Sequence, residues 1–277
     1  MIDLKTVWII GRKELQETLS NKWLIVYTLL FAGLALALSS LSQPDVEFTA
    51  LASYNRTVAS LVNLVLLFVP LIGLLFGATS LASERETGAL DYLLAQPVSR
   101  IEVLLGKYIG VACALLASLN LGLGTAGIIL AWQGAGGDAN GYVMTVIMAC
   151  LLGLAMLSIG FLISALAAKT ATAIGGAIFT WLLFVFVGDL GLIGASLVTE
   201  MPIQTTLLVA LLNPLQLFKM GAIFSAHTSL EVLGPVGLYA TDTFDTNFMP
   251  LMVASLALWI VIPLLLAQWY FAKRGAA

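Results

Sequence analysis

Ser83-Glu-Arg-Glu-Thr-Gly-Ala-Leu-Asp-Tyr-Leu-Leu-Ala-Gln-Pro-Val-Ser-Arg-Ile-Glu-Val-Leu-Leu-Gly-Lys107 is a charged stretch between two long apolar runs. Charged side chains are concentrated in it, among them Glu84, Arg85, Glu86, Asp91, Arg100 and Glu102. Ionised side chains are costly at membrane depth. The stretch is therefore expected to lie in water, while the runs on either side of it cross a bilayer.

The charged stretch also has helical periodicity. Three leucines recur at helical spacing within it: Leu90, Leu93 and Leu94. Pro97 then ends the turn, which predicts a short helix with one apolar face. A second helix is predicted to begin at a capping box, where the Ser99 hydroxyl accepts from the Glu102 amide and the Glu102 carboxylate reaches back. A short helix in water with an apolar face needs a surface on which to dock.

The composition is that of an integral membrane protein. The mean hydropathy is +1.03, 60% of the residues are hydrophobic and only 10% are charged. Backbone amides in hydrocarbon must be satisfied within their own segment, and the alternating pattern of a barrel is missing, so the runs are predicted to be helices. Since the sequence contains no basic cluster, nucleic acid is not an expected partner.

Six apolar runs are long enough to cross the hydrocarbon core. They are residues 24–41, 58–82, 103–132, 142–168, 171–198 and 248–271. In the second run, Gly73 and Gly77 are one turn apart, which predicts a close approach of another helix. Residues 3–21 precede them and form an amphipathic helix predicted to lie in the membrane interface, in contact with lipid. Its predicted apolar face is formed by Leu4, Val7, Trp8, Gly11, Leu15 and Leu19. Residues 199–247, before the last span, hold two apolar pieces too short to span, 205–212 and 215–224, which predict re-entrant or interfacial helices.

The basic residues predict the orientation. With six spans, one side receives Lys5, Arg12, Lys13, Lys22, Arg85, Arg100, Lys107, Lys169, Lys273 and Arg274, and the other side only Arg56 and Lys219. Cytoplasmic loops carry the excess of Lys and Arg. Both termini and residues 83–102 are therefore expected in the cytoplasm, and residues 199–247 are expected outside, as a periplasmic helical region.

Catalytic chemistry is missing from the sequence. No G-x-x-x-x-G-K-[ST] phosphate loop occurs, so the chain is not expected to hydrolyse ATP alone. His227 is the only histidine, which cannot fill a zinc site, and the sequence predicts no metal site. The outer methionines offer soft ligands for Cu(I), but packing is the favoured interpretation. The candidates for a function on the outer side are Asp189, the one acid near the body of a span, His227 and Met249.

The charged stretch resembles a known motif. Residues 84–100 match E-R-E-x-G-x-L-x-x-L-L-x-x-P-V-S-R, the pattern of the intracellular loop of type-2 ABC exporter permeases, and Gly106-Lys107 follows. The resemblance covers the whole chain, and within the family it is to permeases that serve copper-site maturation of nitrous oxide reductase. It implies an all-α, type V exporter-like fold: six spans, an interfacial N-terminal helix, a cytoplasmic coupling helix and outer re-entrant helices.

The resemblance also implies partners. It implies a homodimer in the bacterial inner membrane, two copies of a cytoplasmic ATPase that binds the ATP and magnesium, and a periplasmic accessory protein, with no cofactor in this chain. It assigns ATPase coupling to Glu84, Arg85, Glu86, Gly88, Leu90, Leu93, Leu94, Pro97, Ser99 and Arg100. Within this set we predict that the three leucines are buried in the ATPase, that Gly88 makes a sharp turn and that Pro97 ends the helix.

Two other functions are compatible with the residues alone. An ion- or proton-coupled secondary transporter would work without an ATPase, and a membrane scaffold would only recruit a periplasmic protein. Secondary transporters normally show buried ion ligands and paired broken helices, which this sequence does not show convincingly. No cluster of ligands in the sequence identifies the cargo. The resemblance is compatible with transport of copper, transport of a sulfur species, or no transport through this chain.

Overall fold

The computed structural model describes residues 3–41, 50–132, 139–198, 210–225 and 247–273, with side chains from 39–58 and 189–198 outside the description. The chain is helical through these ranges. The helices are α1 Leu4–Leu19, α2 Lys22–Leu41, α3 Ala50–Thr87, α4 Ala89–Leu94, α5 Arg100–Trp132, α6 Ala139–Leu166, α7 Thr170–Val198, α8 Pro214–Ser225 and α9 Phe248–Lys273. No strand occurs in the described ranges, which agrees with the predicted all-α class.

Among the described residues, five helices are long and apolar enough to cross a membrane. They are Ala59–Thr87, Arg100–Trp132, Ala139–Leu166, Thr170–Gly188 and Phe248–Lys273. The pair Leu4–Leu19 and Lys22–Leu38, bent by 64°, passes the same test only when taken together, which gives up to six. The bend lies at Asn21, whose Oδ1 accepts from the Trp23 amide at 2.9 Å and so begins α2 as a new helix.

Helix α1 packs along α5 through glycine. A Cβ added to Gly110 would lie 2.5 Å from the Gly11 carbonyl oxygen, so the two backbones touch. Val7 and Gly11 are buried, whereas Leu4 and Trp8 are exposed. The predicted apolar face of α1 is therefore divided between the bundle and the outside. One apolar edge packs in the bundle, and a second faces outward.

Helices α3 and α6 meet in a second glycine contact, predicted in part from the spacing of Gly73 and Gly77. A Cβ on Gly77 would lie 2.5 Å from the Leu157 carbonyl oxygen and 2.8 Å from the Gly160 Cα. A Cβ on Gly73 would lie 2.9 Å from the Gly153 carbonyl oxygen. The predicted close approach is confirmed. We call these four glycines the glycine seam.

Helix α8 is the part of residues 199–247 that the structure shows most fully. It begins after a break at Asn213, whose Oδ1 accepts from the Leu215 amide and whose Nδ2 donates to the Phe184 carbonyl at 2.7 Å. With 12 residues it is too short to span, as predicted for 215–224. Most of the first predicted piece, 205–212, lies outside the described residues.

Candidate functional site in the charged stretch

The charged stretch turns sharply at Gly88. This glycine lies between α3 and α4 with φ 76° and ψ −1°, the left-handed region that side chains rarely adopt. Helix α4 then ends at Leu94, three residues before Pro97. The geometry at Gly88 and the end of the short helix both agree with the sequence expectation.

The predicted capping box is confirmed, and it has a further connection. The Ser99 Oγ accepts from the Glu102 amide at 3.3 Å, and the Glu102 Oε2 accepts from the Ser99 amide at 2.8 Å. The other oxygen of Glu102, Oε1, accepts from the Asp3 amide at 2.7 Å. One carboxylate therefore joins the beginnings of α1 and α5.

Arg85 and Glu86 bind the two helix ends that meet at the α6–α7 turn. Arg85 Nη1 donates to the carbonyl oxygens of Ala167 and of Ser164, the latter at 3.3 Å. Glu86 Oε2 accepts from the Thr170 amide at 2.9 Å. The last carbonyls of a helix favour a cation and its first amides favour an anion. The two side chains thus fasten the end of α3 to α6 and α7.

Arg100 makes a similar contact with the last helix. Its Nη1 donates to the carbonyl oxygens of Phe271 at 3.3 Å and Ala272 at 2.9 Å, in the final turn of α9. A cation at a helix C-terminus satisfies carbonyls that have no partner within the helix. The beginning of α5 is therefore held against the end of α9.

Lys107 is the centre of a buried ion cluster that the sequence reasoning missed. Its side chain is 2% exposed, and its Nζ lies 2.6 Å from Glu14 Oε2 and 2.9 Å from Glu84 Oε1. Burial raises the pKa of the Glu14 carboxyl above its ordinary value, and the Lys107 ammonium offsets only part of that rise. The cluster connects α1, α3 and α5, and the only local signal for it is a lysine inside an apolar run.

The two faces of α4 differ from the expectation. Leu90 is 2% exposed and packs in the core of this chain, and Leu93 and Leu94 are half-buried against that core. Leu90 therefore has no surface to offer an ATPase, because the helix folds back onto the bundle. The exposed residues on the opposite side include Asp91 and Tyr92, with Tyr92 76% exposed, and Ala95 and Gln96 just after the helix. We call these four residues the outer face of α4.

The outer-side candidates are described only in part. The side chain of Asp189 and the whole of His227 lie outside the described residues. Met249 is half-buried against the core, in which Met220 and Met252 are buried. Within the described ranges, no group of three or more His, Cys, Asp or Glu residues could hold a metal ion. Packing accounts for Met220 and Met252.

Comparisons with known proteins agree on one family. The family model described as ABC-2 family transporter protein matches residues 8–276. The probable ABC transporter permease protein NosY of Stutzerimonas stutzeri is 31% identical over 277 residues, which cover 98% of this chain and 99% of that protein. The probable NosY of Pseudomonas aeruginosa is 32% identical over 283 residues, with the same shares covered. Both relatives and the family model span nearly the whole chain, and the chain belongs to the ABC-2 family of transporter permeases.

Proposed function

We propose that this permease converts ATP hydrolysis by a separate cytoplasmic ATPase into transport or mechanical signalling across the bacterial inner membrane, without catalysing a reaction itself. Membership of the family supports an ATPase partner and a dimer of permeases. The ATP and magnesium would be bound by the ATPase, and this chain needs no cofactor of its own.

The similarity to two NosY permeases supports a narrower role. We propose that the chain serves the copper-site maturation of nitrous oxide reductase and handles copper or a sulfur species. Its partners would be a second copy of itself, a NosF-like ATPase and a NosD-like periplasmic protein. In this arrangement there are six spans, both termini are cytoplasmic, residues 3–21 lie in the interface, residues 83–102 couple to the ATPase and residues 199–247 are periplasmic. Asp189, His227 and Met249 are the candidates on that outer side.

The observation that carries the proposal is the contrast between the two faces of α4. The Leu90 side is anchored in the bundle, while Asp91 and Tyr92 point away from it. Tyrosine is enriched at the centres of protein interfaces because it buries a large rigid ring at low entropic cost. The outer face of α4 is therefore the surface on which the ATPase would press.

The contacts of the charged stretch explain how a displacement of α4 would be transmitted to the other helices. Helix α4 is joined to α3 at Gly88, and the end of α3 is fastened to the α6–α7 turn by Arg85 and Glu86. The Lys107 cluster adds α1 and α5, and Arg100 adds α9. A displacement of α4 would move the cytoplasmic ends of these helices together rather than bend one helix alone.

The test is to change the outer face of α4 without touching its buried side. In the variant Asp91→Lys with Tyr92→Ala, we expect stability within about 0.5 kcal/mol of the unchanged protein, because both side chains are exposed. The ATPase that co-purifies from native membranes, identified by mass spectrometry, should fall about tenfold or more. Trp132→Ala is the matched control, since it removes another exposed ring far along α5.

An unchanged yield and stimulation of the ATPase in the double variant would contradict docking at α4. Vesicles containing the permease and its ATPase then address the cargo, through ATP-dependent uptake of labelled copper or sulfur. Uptake by the permease alone under an ion gradient would identify a secondary transporter instead. ATP turnover that leaves the outer region unmoved would identify a scaffold.

A further inference from the structure

A cavity of about 250 Å³ lies beside the Lys107 cluster, between α1, α3 and α5. Its walls are mainly polar and include Glu14, Glu84 and Lys107 themselves. Neither the family motif nor the proposed coupling role gives this space a purpose. Its chemistry is set by the charges and hydroxyls that line it.

The cavity is deficient in positive charge. One ammonium, that of Lys107, faces two carboxylates, those of Glu14 and Glu84, so the buried cluster has a net charge of −1 when all three are ionised. Glu84 Oε2 is buried and has no hydrogen-bond partner among the residues that the structure describes. A carboxylate oxygen is an acceptor only, so its missing partner must be a donor. Glu17 also lines the cavity, but its carboxylate is exposed and pairs with Lys13 at 3.3 Å.

The hydroxyls on α3 present further acceptors to the same space. Thr79 Oγ1 donates its proton to the Leu75 carbonyl at 2.9 Å, and Ser83 Oγ donates its proton to the Thr79 carbonyl at 2.7 Å. Each hydroxyl has a single proton, so each has only lone pairs left to offer. Ser80 also lines the cavity and is 9% exposed, and its Oγ has no hydrogen-bond partner within the described part of the chain.

We propose that this cavity binds a primary ammonium group, held by Glu84 Oε2 and the hydroxyl oxygens of Thr79, Ser80 and Ser83. An ammonium has three donors and no acceptor, which complements these four oxygen atoms. It also supplies the missing positive charge. A metal ion fits less well, because Lys107 already stands between the two carboxylates and the described residues hold no cluster of three metal-ligating side chains.

Two kinds of molecule could supply the primary ammonium group. One is the headgroup of phosphatidylethanolamine in the cytoplasmic leaflet, which the position of the cavity behind α1 would admit. The other is a free small amine such as ethanolamine, which a space of about 250 Å³ accommodates. Either ligand would stabilise the junction of α1, α3 and α5, because anything that binds the folded state alone raises its stability.

The experiment compares ammonium groups with and without N–H donors. The purified full chain in detergent is titrated with ethanolamine hydrochloride or with choline chloride at equal ionic strength, and its melting temperature is followed. In parallel, the chain is melted in nanodiscs of phosphatidylcholine with or without phosphatidylethanolamine. We expect ethanolamine or phosphatidylethanolamine to raise the melting temperature and choline to have no effect. A shift from the free amine identifies a soluble ligand, and a shift only in nanodiscs identifies the lipid.

The variants locate the binding. Ser80→Ala removes one acceptor without changing charge and should weaken the response about tenfold, the loss of one hydrogen bond to a charged group. Thr87→Ala, an exposed position on the same helix outside the cavity, should respond as the unchanged protein does. If Ser80→Ala does not fold, Thr79→Val makes the same test.

Two results would overturn the proposal. Equal shifts from ethanolamine and choline, or no shift in any arm, would mean that the cavity holds only water. A full response in the Ser80→Ala or Thr79→Val protein would place the amine elsewhere. Both results leave docking at α4 untouched, since no residue of the outer face of α4 lines this cavity.

Discussion

Helix α3 is held in the bundle by two different kinds of chemistry. Its middle contacts α6 through the glycine seam, where backbone meets backbone and no side chain intervenes. Its C-terminal end is held by what we call the charged base, which is Glu84, Arg85 and Glu86 with their partners, chiefly Lys107. The seam depends on shape alone, whereas the base depends on charges that a proton, a salt or a ligand can change.

Because of this difference, the glycine seam and the charged base are expected to respond differently when the helices move. Close-packed backbones have no alternative arrangement nearby, so α3 and α6 are expected to move as one body. Ion pairs and helix-end hydrogen bonds can exchange partners as the helices shift. We infer that force from α4 enters through the adjustable base and travels along the rigid seam.

The largest effect is expected at the base. Lys107→Met leaves Glu14 and Glu84 buried without their cation, which typically costs about 3–5 kcal/mol in the free energy of unfolding. The measurement is chemical denaturation of the purified permease, followed by tryptophan fluorescence. The triple variant Lys107→Met, Glu14→Gln and Glu84→Gln should recover much of the loss, because no ion is then left unpaired.

Lys107→Arg is the matched control, since it keeps the charge and should lose far less. If Lys107→Met lowers the free energy of unfolding no more than Lys107→Arg does, the ion cluster does not stabilise the fold. The charged base would then behave like an ordinary solvated surface.

A smaller effect is expected at the seam. Gly77→Ala places a Cβ 2.5 Å from the Leu157 carbonyl oxygen, and neither backbone can yield without separating the helices. Overpacking of this kind costs about 1–3 kcal/mol. Gly124→Ala is the control, because a Cβ at Gly124 meets nothing within 4 Å. Equal stability of the two variants in the same denaturation experiment would show that the seam is not tightly packed.

The spans and the local motifs could be predicted from the sequence because they depend on residues within a single segment. Hydrocarbon forces each segment to satisfy its own backbone, so apolar length alone predicted α3, α5, α6, α7 and α9. The capping box at Ser99 and the turn at Gly88 depend on neighbours within three residues, and both were found. The spacing of Gly73 and Gly77 likewise predicted a close helix contact.

What escaped prediction depends on distant residues. Glu14 and Lys107 are 93 positions apart, and no local pattern links them. The partners of Glu84, Arg85 and Glu86 on other helices likewise could not be foreseen from the sequence. Leucine periodicity showed that α4 has an apolar face, but it could not show that Leu90 faces this chain rather than a partner. Which surface Leu90 contacts is determined by the tertiary packing of α4 against the other helices.

The smallest expected effect is one of pH, and it separates the two regions most cleanly. The pKa of Glu14 is raised from its ordinary 4.5 by burial, so the folded state binds this proton more tightly than the unfolded state. Stability from this group is therefore greatest below pH 4.5 and falls as pH rises toward the folded pKa, by at most about 1.4 kcal/mol per pH unit. Unfolding free energies measured from pH 4.5 to neutrality should show this decline in the unchanged protein and in Gly77→Ala, but a shallower one in Glu14→Gln. A decline of equal slope in all three proteins would place the titrating group outside the charged base.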